Sequence, residues 1–141
     1  MINYNYEVDF LLDNEVDYTK WIEAVIKSEN KELNEINYIF CNDDYLLEIN
    51  KQYLEHDYYT DIISFDYTEG DVVSGDIFIS IERVKENAID LNTPFDEELK
   101  RVIIHGVLHY CGYKDKSAKE EEMMRLKEDE KIKMFHVKHD I

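Results

Sequence analysis

The chain has 141 residues, a formal net charge of -17, four glycines, one proline and two cysteines. That length suits a single domain spanning residues 1–141 with a real core. No apolar run could cross a bilayer, and Met1-Ile2-Asn3-Tyr4 lacks the basic start of a secretory signal. Cys41 and Cys111 sit in core-like settings and make no disulfide framework, so a cytoplasmic location is expected. The acidity argues against general nucleic-acid binding, and DNA and membranes are not expected partners, because phosphate neutralisation needs cations. It is uneven, however. Residues 1–76 carry four lysines and nineteen acids, whereas residues 77–141 carry twelve basic and fourteen acidic residues, with local basicity at Lys114, Lys116 and Lys119.

In chain order, Ile2, Tyr4, Tyr6, Val8 and Phe10 alternate with polar residues, as in a half-buried strand. Asp17 is placed to cap a helix with Trp21, Ile22, Val25 and Ile26 on its apolar face. Ile36, Tyr38 and Phe40 predict a second strand, and Asn42 opens a helix carrying Leu46, Ile49 and Tyr53. Residues 62–67 and 72–80 are β-rich runs joined across Thr68-Glu69-Gly70-Asp71 as a hairpin. A helix with Ile81, Val84 and Ala88 follows. Thr93 as cap and Pro94 as first residue begin another helix, polar early and apolar almost all round from Val102. Ser117-Ala118-Lys119-Glu120 is a capping box for a last helix with Met123, Leu126 and Met134. The sum is an α+β domain with about four strands in a mixed sheet, about five helices, and one central buried helix.

That central helix carries His105 and His109. At i and i+4 they share one face, in a stretch where other side chains are apolar and a buried polar group needs a partner. A metal ion is such a partner if a third ligand arrives. Gly112 can turn the chain after the helix, which brings Asp115 back toward the histidines. His105, His109 and Asp115 are therefore the expected metal ligands, with a fourth position left for water. Zinc suits two imidazoles and a carboxylate, one ion per chain, and nickel, iron or manganese would fit similar ligands. Two core histidines bonded to backbone or carboxylates are the bland alternative.

Other candidates carry less. Cys111 lies about 200° around the helix from His109 and faces away. His56, His136 and His139 lie in polar surroundings and read as surface residues. The eleven tyrosines read mostly as strand and core residues, although aromatic rings can stack on bases. No glycine-rich phosphate loop is present. A zinc protease needs glutamate directly after the first histidine; here that residue is Gly106.

The segment His105-Gly106-Val107-Leu108-His109-Tyr110-Cys111-Gly112-Tyr113 resembles the signature of the YbeY family of single-strand-specific, metal-dependent endoribonucleases of ribosomal RNA maturation. Upstream, Asn50, Tyr53, Asp57, Thr60, Asp61, Ser64 and Phe65 fall in the spacing of a second family block, and Gly75-Asp76-Ile77 matches a third. The chain departs from the family pattern at three positions. Asp115 stands where the third ligand is usually histidine, Leu54 where an arginine is usual, and Tyr59 where a proline is usual.

The resemblance implies an RNA phosphodiesterase acting in small-subunit rRNA 3′-end processing and ribosome biogenesis. Single-stranded or ribosomal RNA and ribosome-associated proteins would be its partners. With Leu54 in place of arginine, Lys114 and Lys116 are the candidate phosphate contacts by chain position. A zinc-stabilised ribosome-assembly factor that cuts little or nothing is the second reading.

Overall fold

The computed structural model describes residues 1–54 and 59–139, with side chains described to Phe135. Four strands, β1 (Ile2–Tyr6), β2 (Glu32–Cys41), β3 (Ile62–Asp66) and β4 (Val72–Ser80), form a sheet in the order β1-β2-β4-β3. The β1–β2 and β2–β4 pairs are parallel, and β3 is antiparallel to β4. The helices are α1 (Glu15–Ser28), α2 (Asp43–Leu54), α3 (Ile81–Asp90), α4 (Phe95–Tyr110) and α5 (Ala118–His139). Parallel neighbours need a crossover: α1 links β1 to β2, and α2 with β3 links β2 to β4. The fold is α+β with a mixed sheet, as the sequence pattern predicts.

Strand alternation sorts side chains between two unequal faces. Ile36, Tyr38 and Phe40 of β2, with Val73, Ile77 and Ile79 of β4, join the main core against α1 and α4. Cys41, Ile63, Phe65 and Phe78 point the other way, into a small cluster under Leu46 and Ile49 of α2.

The seat of α4 fixes where the histidines lie. Leu99, Val102, Ile103, Ile104, Val107 and Leu108 are all buried. A Cβ on Gly106 would lie 2.9 Å from Ile77 Cδ1, so glycine here lets α4 close on the sheet. Gly75 leaves room for the Tyr110 ring, which a Cβ would strike. The Tyr110 hydroxyl lies 2.9 Å from the Phe65 carbonyl and 3.1 Å from that of Asp76. The Tyr38 hydroxyl donates to the Ile103 carbonyl at 3.0 Å. These bonds satisfy buried polar groups while tying α4 to three strands.

Several local expectations are corrected. Asn14, not Asp17, holds the cap position of α1, and Asp17 lies in its first turn, where an acid favours the helix dipole. Pro94, not Thr93, caps α4, which starts at Phe95. Tyr53 on α2 is exposed, not core. Among the described tyrosines, Tyr4, Tyr6 and Tyr38 lie in strands and Tyr18, Tyr110 and Tyr113 join the core from outside the sheet, whereas Tyr45, Tyr53, Tyr59 and Tyr67 are exposed. In α5, Met123 and Leu126 are exposed; the inward stripe is Met124, Glu128, Lys131, Ile132 and Phe135. Two of those five are charged, which disguises the face. Lys131 is tolerated there because its ammonium meets Glu29 at 2.9 Å, Glu130 at 2.8 Å and Ser28 Oγ at 3.0 Å. The Ser117–Glu120 capping box is present, with reciprocal bonds of 3.0 and 3.1 Å.

Candidate metal centre

While most of α4 is buried, Arg101, His105 and His109 remain partly exposed along one stripe at i, i+4 and i+8. The helix then ends in a turn that sequence chemistry dictates. Gly112 has φ +106°, a conformation open to glycine. Its N–H donates to the His109 carbonyl at 3.0 Å, and that of Tyr113 to the Leu108 carbonyl at 3.0 Å. This paired closure turns the chain back and brings Asp115 over the histidine stripe.

The result is a compact triangle. His105 Nε2 and His109 Nε2 are 3.0 Å apart, and Asp115 Oδ2 lies 3.1 Å from the first and 3.2 Å from the second. Among the described residues this is the group whose ligand atoms converge as a metal site requires. Ligands at about 2.0–2.2 Å around a tetrahedral zinc would stand a little over 3 Å apart, so the triangle matches in size.

The outer nitrogens decide what the inner ones can do. His109 Nδ1 donates to the Tyr113 carbonyl at 2.9 Å, and His105 Nδ1 to the Glu128 carboxylate at 2.6 Å. A carbonyl and a carboxylate only accept, so both Nδ1 atoms carry hydrogen. In neutral imidazoles both Nε2 atoms are then bare lone pairs. Two such lone pairs and a carboxylate oxygen facing one another repel unless a cation joins them. The donor set thus fits a metal. The alternative cation is a proton: burial lowers the pKa of His105, but the hydrogen bond and charge of Glu128, with Asp115 and Asp61, outweigh it and raise it.

Glu128 is the residue that chain-order reasoning missed. It is 5 % exposed and comes from α5, 23 residues beyond His105. Arg101 holds it in turn, donating from Nη1 to Glu128 at 2.9 Å and from Nη2 to Asp129 at 2.7 Å. A carboxylate behind a ligating imidazole fixes ring and tautomer and makes the ligand more basic. Only the burial pattern of α5 could have signalled it.

A cavity of about 450 Å³ opens beside the triangle. Thr60, Asp61, Ser64, Glu98, Arg101 and Arg125 of α5 line it together with the triangle. Burial raises the carboxyl pKa of Asp61; burial and then Asp61 raise that of Glu98. Lys114 and Lys116 are exposed on either side of Asp115 and are not among the lining residues; nor are Leu54, Tyr59 or Cys111. His56 and Asp57, and the side chains of His136 and His139, lie outside the described residues.

The geometry and the sequence point the same way. The family model described as endoribonuclease YbeY matches residues 3–136. The chain belongs to the YbeY family. It is 66 % identical over 140 residues to the endoribonuclease YbeY of Flavobacterium psychrophilum, covering 99 % of this chain and 100 % of that one. It is 61 % identical over 136 residues to that of Christiangramia forsetii, covering 96 % and 95 %. A solution structure of a Thermotoga maritima protein superposes with a TM-score of 0.74 at 29 % identity, covering 99 % of this chain and 92 % of that one. In this YbeY-family chain Gly106 has a packing role in place of the protease glutamate: a Cβ there would crowd Ile77 and Ile62 of the sheet.

Proposed function

We propose that this chain is a single-strand-specific, zinc-dependent endoribonuclease of rRNA maturation, acting in small-subunit rRNA 3′-end processing in the cytoplasm. Membership of the endoribonuclease YbeY family makes it an RNA-cleaving hydrolase. The observation that carries the metal reading is the convergence of three lone-pair donors, two of them imidazoles whose other ring nitrogens are already committed. His105, His109 and Asp115 would hold one ion. Zinc fits two imidazoles and a carboxylate, and nickel, iron or manganese would fit a similar set. Zinc supplies Lewis acidity, polarising a phosphoryl oxygen and acidifying water.

The chain's own groups do the rest. Glu128 and the Tyr113 carbonyl fix the two rings, Arg101 holds Glu128, and Asp115 is set by the Gly112 turn. Thr60 and Ser64 line the same cavity as the triangle. Lys114 and Lys116, exposed beside Asp115, are proposed contacts to flanking RNA phosphates. Among the described residues no helix is long and apolar enough to cross a membrane.

A second reading, a zinc-stabilised ribosome-assembly factor contacting rRNA and ribosome-associated proteins, is favoured by Leu54 and by the net charge of -17. Incubating pure protein with single-stranded RNA, with and without chelator and beside His105→Ala, separates the two. Cleavage that needs both metal and His105 supports the nuclease. Intact RNA with zinc-loaded protein supports the assembly factor.

A further inference from the structure

The cavity beside the triangle is poor in available positive charge. Asp61, Glu98, Asp115 and Glu128 contribute carboxylates, and among the described lining residues only Arg101 and Arg125 are permanent cations. Arg101 is spent: both terminal nitrogens bond carboxylates of α5. Arg125 is exposed and, among the described residues, forms no hydrogen bond or ion pair. It lies one helical turn before Glu128, so it shares the face that leans on His105. It also lines a second, neighbouring cavity of about 270 Å³ with His105, Asp115 and Glu128. Arg125 therefore borders both cavities beside the triangle, and its guanidinium has no hydrogen-bonded partner among the described residues.

We propose that Arg125 binds the phosphate of the RNA substrate at the triangle, supplying the cation that Leu54 does not. The inference rests on the reading of this cavity as the RNA site. A guanidinium presents a planar fork that matches two phosphate oxygens, and a lysine does not reproduce it. A single-stranded backbone passing between the two cavities would cross Arg125. Lys114 and Lys116 lie outside both linings, so they can meet flanking phosphates but not this one.

The test measures equilibrium binding of a labelled single-stranded oligoribonucleotide, and its cleavage by zinc-loaded protein, for wild type and for Arg125→Lys, Arg125→Ala and Arg125→Glu. An exposed side chain can be replaced without unfolding, which zinc content and Tm check directly. The expected order of affinity and kcat/KM is Arg, Lys, Ala, Glu, with Arg125→Ala weaker by roughly tenfold or more, the worth of one charge-assisted hydrogen bond. The slope of log Kd against log salt should shrink by about one phosphate contact in Arg125→Ala, a change that a purely structural role would not produce. Unchanged binding and cleavage in both Arg125→Ala and Arg125→Glu overturns the inference while leaving the nuclease reading intact. Weakened binding together with no cleavage by wild type supports Arg125 and overturns the nuclease reading.

Discussion

The two imidazoles are held in different ways. His109 leans on a neutral backbone carbonyl four residues ahead, delivered by the Gly112 turn. His105 leans on a buried carboxylate from another helix, itself gripped by Arg101. One support is local and comes with the helix end; the other exists only once α5 has docked. The chemistry differs accordingly. A carboxylate partner makes an imidazole a stronger donor than a carbonyl does, and it makes metal binding and α5 docking parts of one equilibrium.

The largest effect should come from removing His105 itself. His105→Ala loses the ligand and strands Glu128, so bound metal and metal-dependent RNA cleavage should both disappear and thermal stability should fall; elemental analysis and calorimetry read these out. Wild type as purified and the variant melting alike, with no metal found in either, would show that the triangle holds none.

Glu128 is next. Glu128→Gln keeps a hydrogen-bond acceptor for His105 but removes the charge, and zinc affinity should fall roughly 10- to 100-fold. Glu128→Ala should be worse, since it also leaves Arg101 facing an empty position. Competition titration against a chelator measures both, and wild-type affinity in Glu128→Gln would show that the charge of Glu128 adds nothing to the support of His105.

The local arm should prove more forgiving. Asp115→Ala should weaken zinc binding, whereas Asp115→His, a nitrogen donor at the same turn, should retain it. Zinc affinity unchanged in the alanine variant would make Asp115 a solvated loop acid. Replacing both Lys114 and Lys116 with alanine should lower RNA binding modestly at unchanged zinc content and reduce its salt dependence. Wild-type binding in that variant would move every phosphate contact elsewhere.

The smallest effect concerns an α4 acid that lines the cavity. Glu98 is 6 % exposed, and burial with the nearby Asp61 raises its pKa. The folded state therefore holds the Glu98 proton to higher pH than the unfolded chain, so stability falls as pH rises from the ordinary glutamate range through the raised value. Glu98→Gln should remove that loss and melt roughly 2 °C higher at neutral pH, the shift that about 0.5 kcal/mol gives in a domain of this size. The gain should vanish in acid. A melting difference independent of pH would assign the effect to packing.

Much of the site is legible in the sequence because its local arm is contiguous. Histidines at i and i+4, a glycine turn and an acid can be read from residues 105–115, since helix period and glycine chemistry are short-range rules. The β3–β4 hairpin and the Ser117 capping box are legible for the same reason. The support from α5 is not. Its inward stripe contains Glu128 and Lys131, whose burial depends on Arg101, His105 and Glu29 arriving from elsewhere, so a pattern of apolar residues selects Met123 and Leu126 instead. Arg125 escaped notice likewise: on a charged helix one arginine resembles another until the cavity beside it is formed. Lys114 and Lys116 stood out only by proximity along the chain.

RNA cleavage by this chain is proposed to require one metal ion held by His105, His109 and Asp115. Metal-free protein titrated with zinc, with cleavage of a single-stranded RNA followed at each addition, tests it most directly. The expected result is no cleavage at the start and a linear return that breaks at one zinc per chain, absent in His105→Ala. Full cleavage by the metal-free protein, or an equal return in the variant, would contradict it.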